Sequence, residues 1–171
     1  MLNLGVFMKK LLLFPLVLSF FLSGCSIIEN GNDLSGFIFR MNEKNESYNM
    51  TETGFLYDEE KSEFYKFFII DENEILLTFK ADEKGRLQEM NIVTSCILSE
   101  SEFLLTFIKN ALFCFINDNE ILNTLLTETD FNNTILTVKN ETTKAKNGNV
   151  ELLLDVTEIG TVITVYNDCN L

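Results

Sequence analysis

The feature that most constrains this chain is an apolar stretch near its start, residues 8–25. Two lysines precede an uninterrupted apolar run, 11–18, and a second run, 20–22, leads through two small residues to Cys25. A basic start, a short apolar centre and a small-residue end are the parts of a secretory signal. The apolar centre is shorter than the roughly 20 residues that span a bilayer as a helix. The stretch therefore predicts export of the chain and removal of the signal.

The last four residues of this stretch, Leu22-Ser23-Gly24-Cys25, resemble the lipobox of bacterial lipoproteins. In that family the cysteine is joined to diacylglycerol, the signal is cut off before it, and its new amino group is acylated. The resemblance implies that Leu22, Ser23 and Gly24 are the signal-peptidase recognition triplet. It also implies that Cys25 is the lipidated first residue of the mature protein, with acyl chains of the palmitate type. The alternative is an ordinary secreted protein in which Cys25 merely follows the signal.

This interpretation divides the chain into a lipoprotein signal peptide (1–24), a tether (25–32) and a single α+β domain (33–171). Cleavage before Cys25 removes 24 of the 171 residues and leaves 147, a length that suits one domain with a sizeable core. The tether is polar after Ile28 and contains a glycine, as short flexible links do. A translation start at Met8 instead of Met1 would change none of these assignments.

The net charge of the chain restricts the classes of molecule that it is expected to bind. The formal net charge is −13, and loss of the two lysines of the signal would make it −15. Because phosphate binding needs clustered Lys and Arg, an acidic domain of this kind repels nucleic acid and anionic headgroups. We therefore expect no nucleic-acid partner. We expect attachment to the bilayer through acylated Cys25, on the extracytoplasmic face of the cell membrane.

Residues that commonly carry catalysis or bind metals are scarce. The chain has no histidine, the commonest general base, and no GxSxG, HExxH or P-loop pattern. Beyond Cys25, three cysteines (Cys96, Cys114 and Cys169) lack CxxC spacing, so a zinc site is not expected. Cys96 and Cys114 are predicted to lie at opposite ends of one helix, too far apart for a disulfide. Any internal disulfide would therefore use Cys169.

Carboxylates are plentiful, but they fall at predicted turns and helix starts. The three acidic clusters are residues 58–60, 71–74 and 118–120. Neither 71–74 nor 117–120 has the ligand spacing of a calcium loop. We expect no catalytic residue, no cofactor and no metal. An extracytoplasmic lipoprotein that binds a protein or small ligand is the leading hypothesis, and a carboxylate-dependent envelope hydrolase is the alternative.

Apolar spacing in the first half of the domain predicts a helix and three strands. Residues 33–41 have helical apolar spacing after Asp33, a residue that caps helices, although their alternation leaves a strand as the alternative. Strands are predicted at 64–70, 75–81 and 86–95, with Gly85 at positive φ in a tight turn and a bulge near Gln88 or Glu89. Alternation is expected to place half of the aromatic residues of the first of these strands (Phe64, Tyr65, Phe67 and Phe68) in the core, and a core role is favoured over the alternative of a ligand groove.

The second half predicts two helices and a return to strands. Ser99 as N-cap and Glu102 form a capping box at the start of a helix whose apolar stripe runs from 104 to 115. Residues 117–120 repeat this arrangement, and the second helix is expected to end near Glu128. Strands are predicted at 134–140, 150–156 and 161–166, with a hairpin turn at Asn147-Gly148.

Together these elements predict an α+β fold. It is an antiparallel sheet of about six strands in two meanders, with a helix pair packed on one face. From 64 to 166 the pattern resembles small lipoproteins of low-GC Gram-positive bacteria, which are mostly of unknown function. That resemblance covers roughly two thirds of the mature chain and rests on the order of elements, so it implies no site residue.

Overall fold

A computed structural model describes residues 31–70, 72–95, 101–138 and 141–167. The signal segment, Cys25, Cys96, Ser99 and Cys169 lie outside the described residues. The first half contains helix α1 (Leu34–Lys44), two 3-10 turns (Glu46–Tyr48 and Glu52–Gly54) and strands β1 (Leu56–Asp58), β2 (Glu63–Ile70), β3 (Asn73–Ala81) and β4 (Leu87–Thr94). The second half contains helices α2 (Glu102–Ile116), α3 (Asn119–Glu128) and α4 (Phe131–Thr134) and strands β5 (Thr143–Asn147), β6 (Val150–Thr157) and β7 (Gly160–Asn167).

The seven strands form one antiparallel sheet in the order β1-β2-β3-β4-β7-β6-β5. The last strand of each half, β4 and β7, pair with each other from Glu89 and Tyr166 to Thr94 and Thr161, which joins the halves. The predicted α+β class with an antiparallel sheet is confirmed. The count is seven strands instead of about six, because the three-residue β1 pairs with β2 and adds a short edge strand.

Burial alternates along the strands, so one face of the sheet carries the core. Ile75, Leu77 and Phe79 of β3 are fully buried, and they belong to one apolar cluster with residues of α1, α2 and α3. The Phe79 ring lies 4.7 Å from Phe37 of α1 and 6.4 Å from Phe115 of α2, measured between centroids. Burial of such a side chain contributes about 1.5–3 kcal/mol, so this face provides most of the driving force for folding.

The helical interpretation of residues 33–41 is confirmed. The Asp33 carboxylate caps α1 by accepting a hydrogen bond from the Gly36 backbone N–H at 2.8 Å. Phe37 and Met41 are fully buried, whereas Phe39 is exposed. Burial therefore follows the helical period of about 3.6 residues and not the two-residue period of a strand.

The predicted bulge is also confirmed. Lys80 pairs with Glu89 and Ala81 pairs with Leu87, which leaves Gln88 as the extra residue of β4. The turn before it places Gly85 at a φ of 79°, as expected. The extra residue explains why the apolar residues on the two sides of Gln88 are out of phase in the sequence.

The predicted start of α2 is wrong by two residues. The N-cap is Ser101, whose hydroxyl accepts a hydrogen bond from the Leu104 N–H at 3.1 Å, and the helix begins at Glu102. Glu102 is thus the first helical residue and not the third, so it cannot form the capping box predicted with Ser99.

The cap of α3 differs by one residue from the prediction. Asp118 accepts hydrogen bonds from the N–H groups of Glu120 and Ile121 at 2.9 and 3.0 Å. Asn117, the predicted cap, instead ends α2 with a left-handed conformation at φ 54°. The predicted end of this helix near Glu128 is confirmed.

The strand predicted at 134–140 is wrong within the described part of that range. Thr134 ends the single turn α4, and residues 135–138 continue as a turn. The buried hydroxyl of Thr134 donates to the Thr129 carbonyl at 2.8 Å, which ties this segment to the end of α3. The edge strand β5 lies later, at Thr143–Asn147, and the predicted hairpin at Asn147-Gly148 connects it to β6.

Residues 31 and 32, the end of the predicted tether, are bound to the rest of the domain. The Asn32 carbonyl accepts from the Leu87 N–H at 2.7 Å, and its side-chain amide donates to the Leu87 carbonyl at 3.3 Å. The Arg40 guanidinium donates to the Gly31 carbonyl at 3.0 Å and to the Cys114 carbonyl at 2.9 Å. The chain therefore enters the domain beside the first residue of β4.

Candidate binding surface

The side of the sheet that faces away from the core holds large apolar side chains in solvent. We call it the open face. Ile69, Phe67 and Leu56 are 77%, 65% and 59% exposed. The apolar members of the open face are Leu56, Tyr65, Phe67, Ile69, Leu76, Val93, Leu153, Val162 and Tyr166.

Strand register places four of these side chains in one line. Phe67 pairs with Leu76, Leu76 with Val93, and Val93 with Val162. We call these four residues the apolar row. Since neighbouring strands lie about 4.8 Å apart, the row crosses β2, β3, β4 and β7 over about 14 Å. Ile69 lies beside it on β2, one place further along the same face.

The opposite end of the open face is polar, and its side chains bind one another. Lys80 lies 3.3 Å from a carboxylate oxygen of Glu63 and 3.1 Å from one of Glu89. The Asn91 amide donates to Glu89 at 2.9 Å and to Thr78 at 3.2 Å. The hydrogen bond to Glu89 is the main reason that the pKa of Lys80 is raised above its ordinary value. This end of the face therefore satisfies its own polar groups.

Carboxylates border the apolar row. Glu74 of β3 pairs with Ile69 and lies beside Leu76, and Asp155 of β6 pairs with Val162 at the β7 end of the row. Glu72 lies in the exposed turn before β3, and Glu158 lies in the exposed turn after β6. The described residues of the apolar row, of its continuation to Asp155 and of the neighbouring Ile69–Glu74 pair include no Lys or Arg. The surface thus combines an apolar centre with an acidic border.

A cleft of about 530 Å³ lies at the β1–β2 and β3–β4 turns, where Tyr57 and Phe64 have ring centroids 4.9 Å apart. Asp82 and Glu83 also line it. The Asp82 carboxylate accepts from the Arg86 guanidinium at 2.7 Å and from two backbone N–H groups. Burial opposes ionisation of Asp82, but these bonds together hold its pKa below the usual value. This carboxylate therefore closes the turn.

A second cleft, of about 410 Å³, lies where the chain enters the domain. Its polar lining comes from the residues Asn32, Asn117, Asp118, Asn149 and Asn167. The carboxylate in this cleft, that of Asp118, is already the cap of α3. Each cleft therefore contains a carboxylate that has a structural role in the fold.

The candidate residues of the sequence analysis lie in separate parts of the chain. Leu22, Ser23, Gly24 and Cys25 lie outside the described residues. Asp58 accepts hydrogen bonds from the N–H groups of Glu60 and Lys61, so this acidic cluster forms the β1–β2 turn. Within 31–70, 72–95, 101–138 and 141–167, no group of three or more acidic, His or Cys side chains is arranged to hold a metal ion.

The aromatic strand β2 divides its side chains between the two faces. Phe64 and Phe68 pack against the core, and the Phe68 ring lies 5.3 Å from Phe107. Tyr65 and Phe67 point to the open face, so the expectation that half of these aromatic residues enter the core is confirmed. The two-residue alternation was the signal for this division. It could not show which other strands would join Phe67 in an apolar surface.

None of the described helices is long and apolar enough to span a membrane. No protein-family model, curated protein or solved structure matches the chain.

Proposed function

We propose that this protein is an extracytoplasmic lipoprotein, anchored in the cell membrane by acylated Cys25, that binds a partner protein through its open face. Leu22, Ser23 and Gly24 direct cleavage of the signal, and the domain is displayed outside the membrane. The lipobox resemblance and the signal-like order of residues 8–25 support the anchor. The scaffold is two meanders that share one sheet, with the helix pair α2 and α3 packed on the face opposite the binding surface.

The observation that carries the binding function is the exposure of Phe67 and Ile69 on the open face of the sheet. Covering a side chain of this kind contributes about 1.5–3 kcal/mol, and contiguous exposed apolar surface on a soluble domain commonly marks an interaction site. The polar end of the same face is internally satisfied, which leaves the apolar row as the part that gains from a partner. None of the four residues of the row lines either of the two clefts, which favours a protein surface over a small molecule, because small molecules bind in concave sites.

The alternative function, a carboxylate-dependent hydrolase, has less support. Such an enzyme needs two carboxylates placed around one cleft with protonation states set by their surroundings. Asp82 is engaged by Arg86, and Asp118 caps a helix. Glu63 and Glu89, which both contact Lys80, lie on the open face and line neither of the two clefts.

A photoreactive phenylalanine analogue in place of Phe67 tests the proposal in intact cells. We expect light-dependent protein adducts from this position, because it lies in the surface that a partner would cover. The matched control carries the same analogue in place of Phe103, an exposed phenylalanine at the start of α2. Equal adduct yields from the two positions, or none from position 67, would refute the open face as the binding surface.

A further inference from the structure

We infer that the apolar row docks a cationic amphipathic segment of the partner protein. Its apolar side chains would cover Phe67, Leu76 and Val162, and its Lys or Arg side chains would reach the bordering carboxylates. This inference rests on the proposed function and adds the chemistry of the partner. It is drawn from the arrangement of charge around the row.

Charge complementarity identifies this partner. Glu74 lies beside Leu76 along one edge of the apolar row, and Asp155 continues the row beyond Val162; Glu72 and Glu158 lie in the exposed turns next to them. The nearest cation on β5 and β6 is Lys144. It pairs with Leu153, which lies two residues from Asp155 along β6. A partner with cations beside its apolar side chains would therefore meet an acidic border that lacks internal cations. Oppositely charged borders accelerate association and fix the register of an interface.

The position of the row argues against the lipid bilayer as its occupant. The chain enters the domain at Asn32, which is hydrogen-bonded to Leu87. Val93 lies six residues further along β4, about 20 Å away at 3.3 Å per residue. The row therefore lies at the end of β4 that is remote from the residue at which the chain enters the domain. The carboxylates around the row would in addition repel anionic headgroups.

Charge also argues against a second copy of this chain. Two copies that met through the row would bring one acidic border against another, and like charges that approach at an interface weaken it. The formal net charge of −13 on each copy adds to this repulsion.

A helix of about ten residues, which is about 15 Å long, would match the length of the row.

The test uses the full-length protein in its native membrane with the photoreactive analogue at position 67. The adduct is digested and the crosslinked segment is sequenced. We expect a segment that is rich in Lys or Arg, with apolar residues at helical spacing between them. A lipid adduct, an adduct with a second copy of the chain, or a partner segment without Lys and Arg would each overturn the inference.

Charge reversal supplies a second readout. In the same crosslinking assay, the double variant Glu74→Lys with Asp155→Lys should lower the adduct yield at least tenfold. The control reverses two exposed carboxylates on α3, Glu120→Lys with Glu128→Lys, and changes the net charge by the same amount; its yield should stay within twofold of the parent. Thermal melting of each variant verifies that it is folded.

The two levels of the proposal fail differently. A protein adduct that is unaffected by reversal at Glu74 and Asp155 would overturn the cationic partner and leave protein binding by the open face intact. Loss of all adducts from position 67 in the parent would overturn both.

Discussion

At the scale of single residues, Arg40 is a buried cation that connects three parts of the chain. Its guanidinium donates to the carbonyls of Gly31 and Cys114, and burial lowers its pKa from the ordinary value. A lysine cannot reproduce two divergent hydrogen bonds from one planar group, so Arg40→Lys should lower the free energy of unfolding by about 2 kcal/mol. The control is Arg86→Lys at an exposed turn. Chemical denaturation that gave equal losses for both variants would contradict this role.

Ser101 is the residue that begins α2. Ser101→Ala removes the hydrogen bond to the Leu104 N–H and should cost about 1 kcal/mol of stability. Ser99→Ala, the neighbouring serine that sequence spacing favoured, should change the melting temperature much less. A larger loss for Ser99→Ala would restore the start of the helix predicted from the sequence.

Cys114 of α2 is a fully buried free thiol near the charged residues Arg40 and Lys44 of α1. Burial raises the pKa of Cys114 to about 12. We expect no alkylation of this thiol at pH 8 in the folded protein and complete alkylation in denaturant, measured by peptide mass spectrometry. Reaction at equal rates in both states would show that the thiol is accessible.

The same shift makes stability depend on alkaline pH. The unfolded thiol loses its proton near its ordinary pKa of 9.0, whereas the folded thiol keeps it to about pH 12. The stabilisation is therefore fully present below pH 9 and declines as the pH rises from 9 towards 12. Cys114→Ala should remove this part of the pH dependence in denaturation curves, even though the variant is less stable overall. An unchanged slope above pH 9 would contradict the assignment.

At the scale of elements, β3 offers a direct test of which face is covered. Leu77 is fully buried in the core, while its neighbour Leu76 is partly exposed in the apolar row. Leu77→Ala should cost about 2–5 kcal/mol because it leaves a cavity. Leu76→Ala should cost under about 1 kcal/mol in urea denaturation, because its site is already open to water. Similar losses would mean that both faces of the sheet are packed.

Sequence reasoning succeeded where burial is strong and local. Strand β6 alternates four buried aliphatic residues, and α2 has a broad apolar stripe, so both elements follow from their spacing. It failed at 134–138, where Leu136 and Val138 alternate with polar residues but remain exposed. The true edge strand β5 buries Ala145 alone, so its sequence carries no such pattern, and pairing with β6 defines it.

The candidate surface could be predicted only in part. Alternation in β2 indicated that Phe67 and Phe68 point to opposite faces, but it could not identify the neighbours of Phe67. The apolar row exists because β4 pairs with β7, which brings together Val93 and Val162 from the two halves of the chain. Such long-range pairing depends on the order of strands in the sheet and leaves no local signature in either strand.

At the scale of the whole molecule, membrane attachment should depend on Cys25 alone. Two or more acyl chains suffice for stable attachment, and the acidic domain adds no attraction to anionic lipid. Association with membranes should therefore resist high salt, since no basic patch is being screened. Cys25→Ala should abolish labelling by a fatty-acid analogue and leave an uncut precursor. Equal labelling of the variant and the wild type would remove the lipoprotein assignment.

The attachment of Asn32 to Leu87 also has a mechanical consequence. If the membrane holds the chain at its entry point and a partner holds the apolar row, tension between them runs along β4, which is hydrogen-bonded on both sides. A pull along a strand loads all of its hydrogen bonds to the neighbouring strands at once, in shear. A pull across an edge strand breaks these bonds one after another. The domain should then stay folded while a moving partner pulls on it, because the hydrogen bonds on both sides of β4 would have to break together.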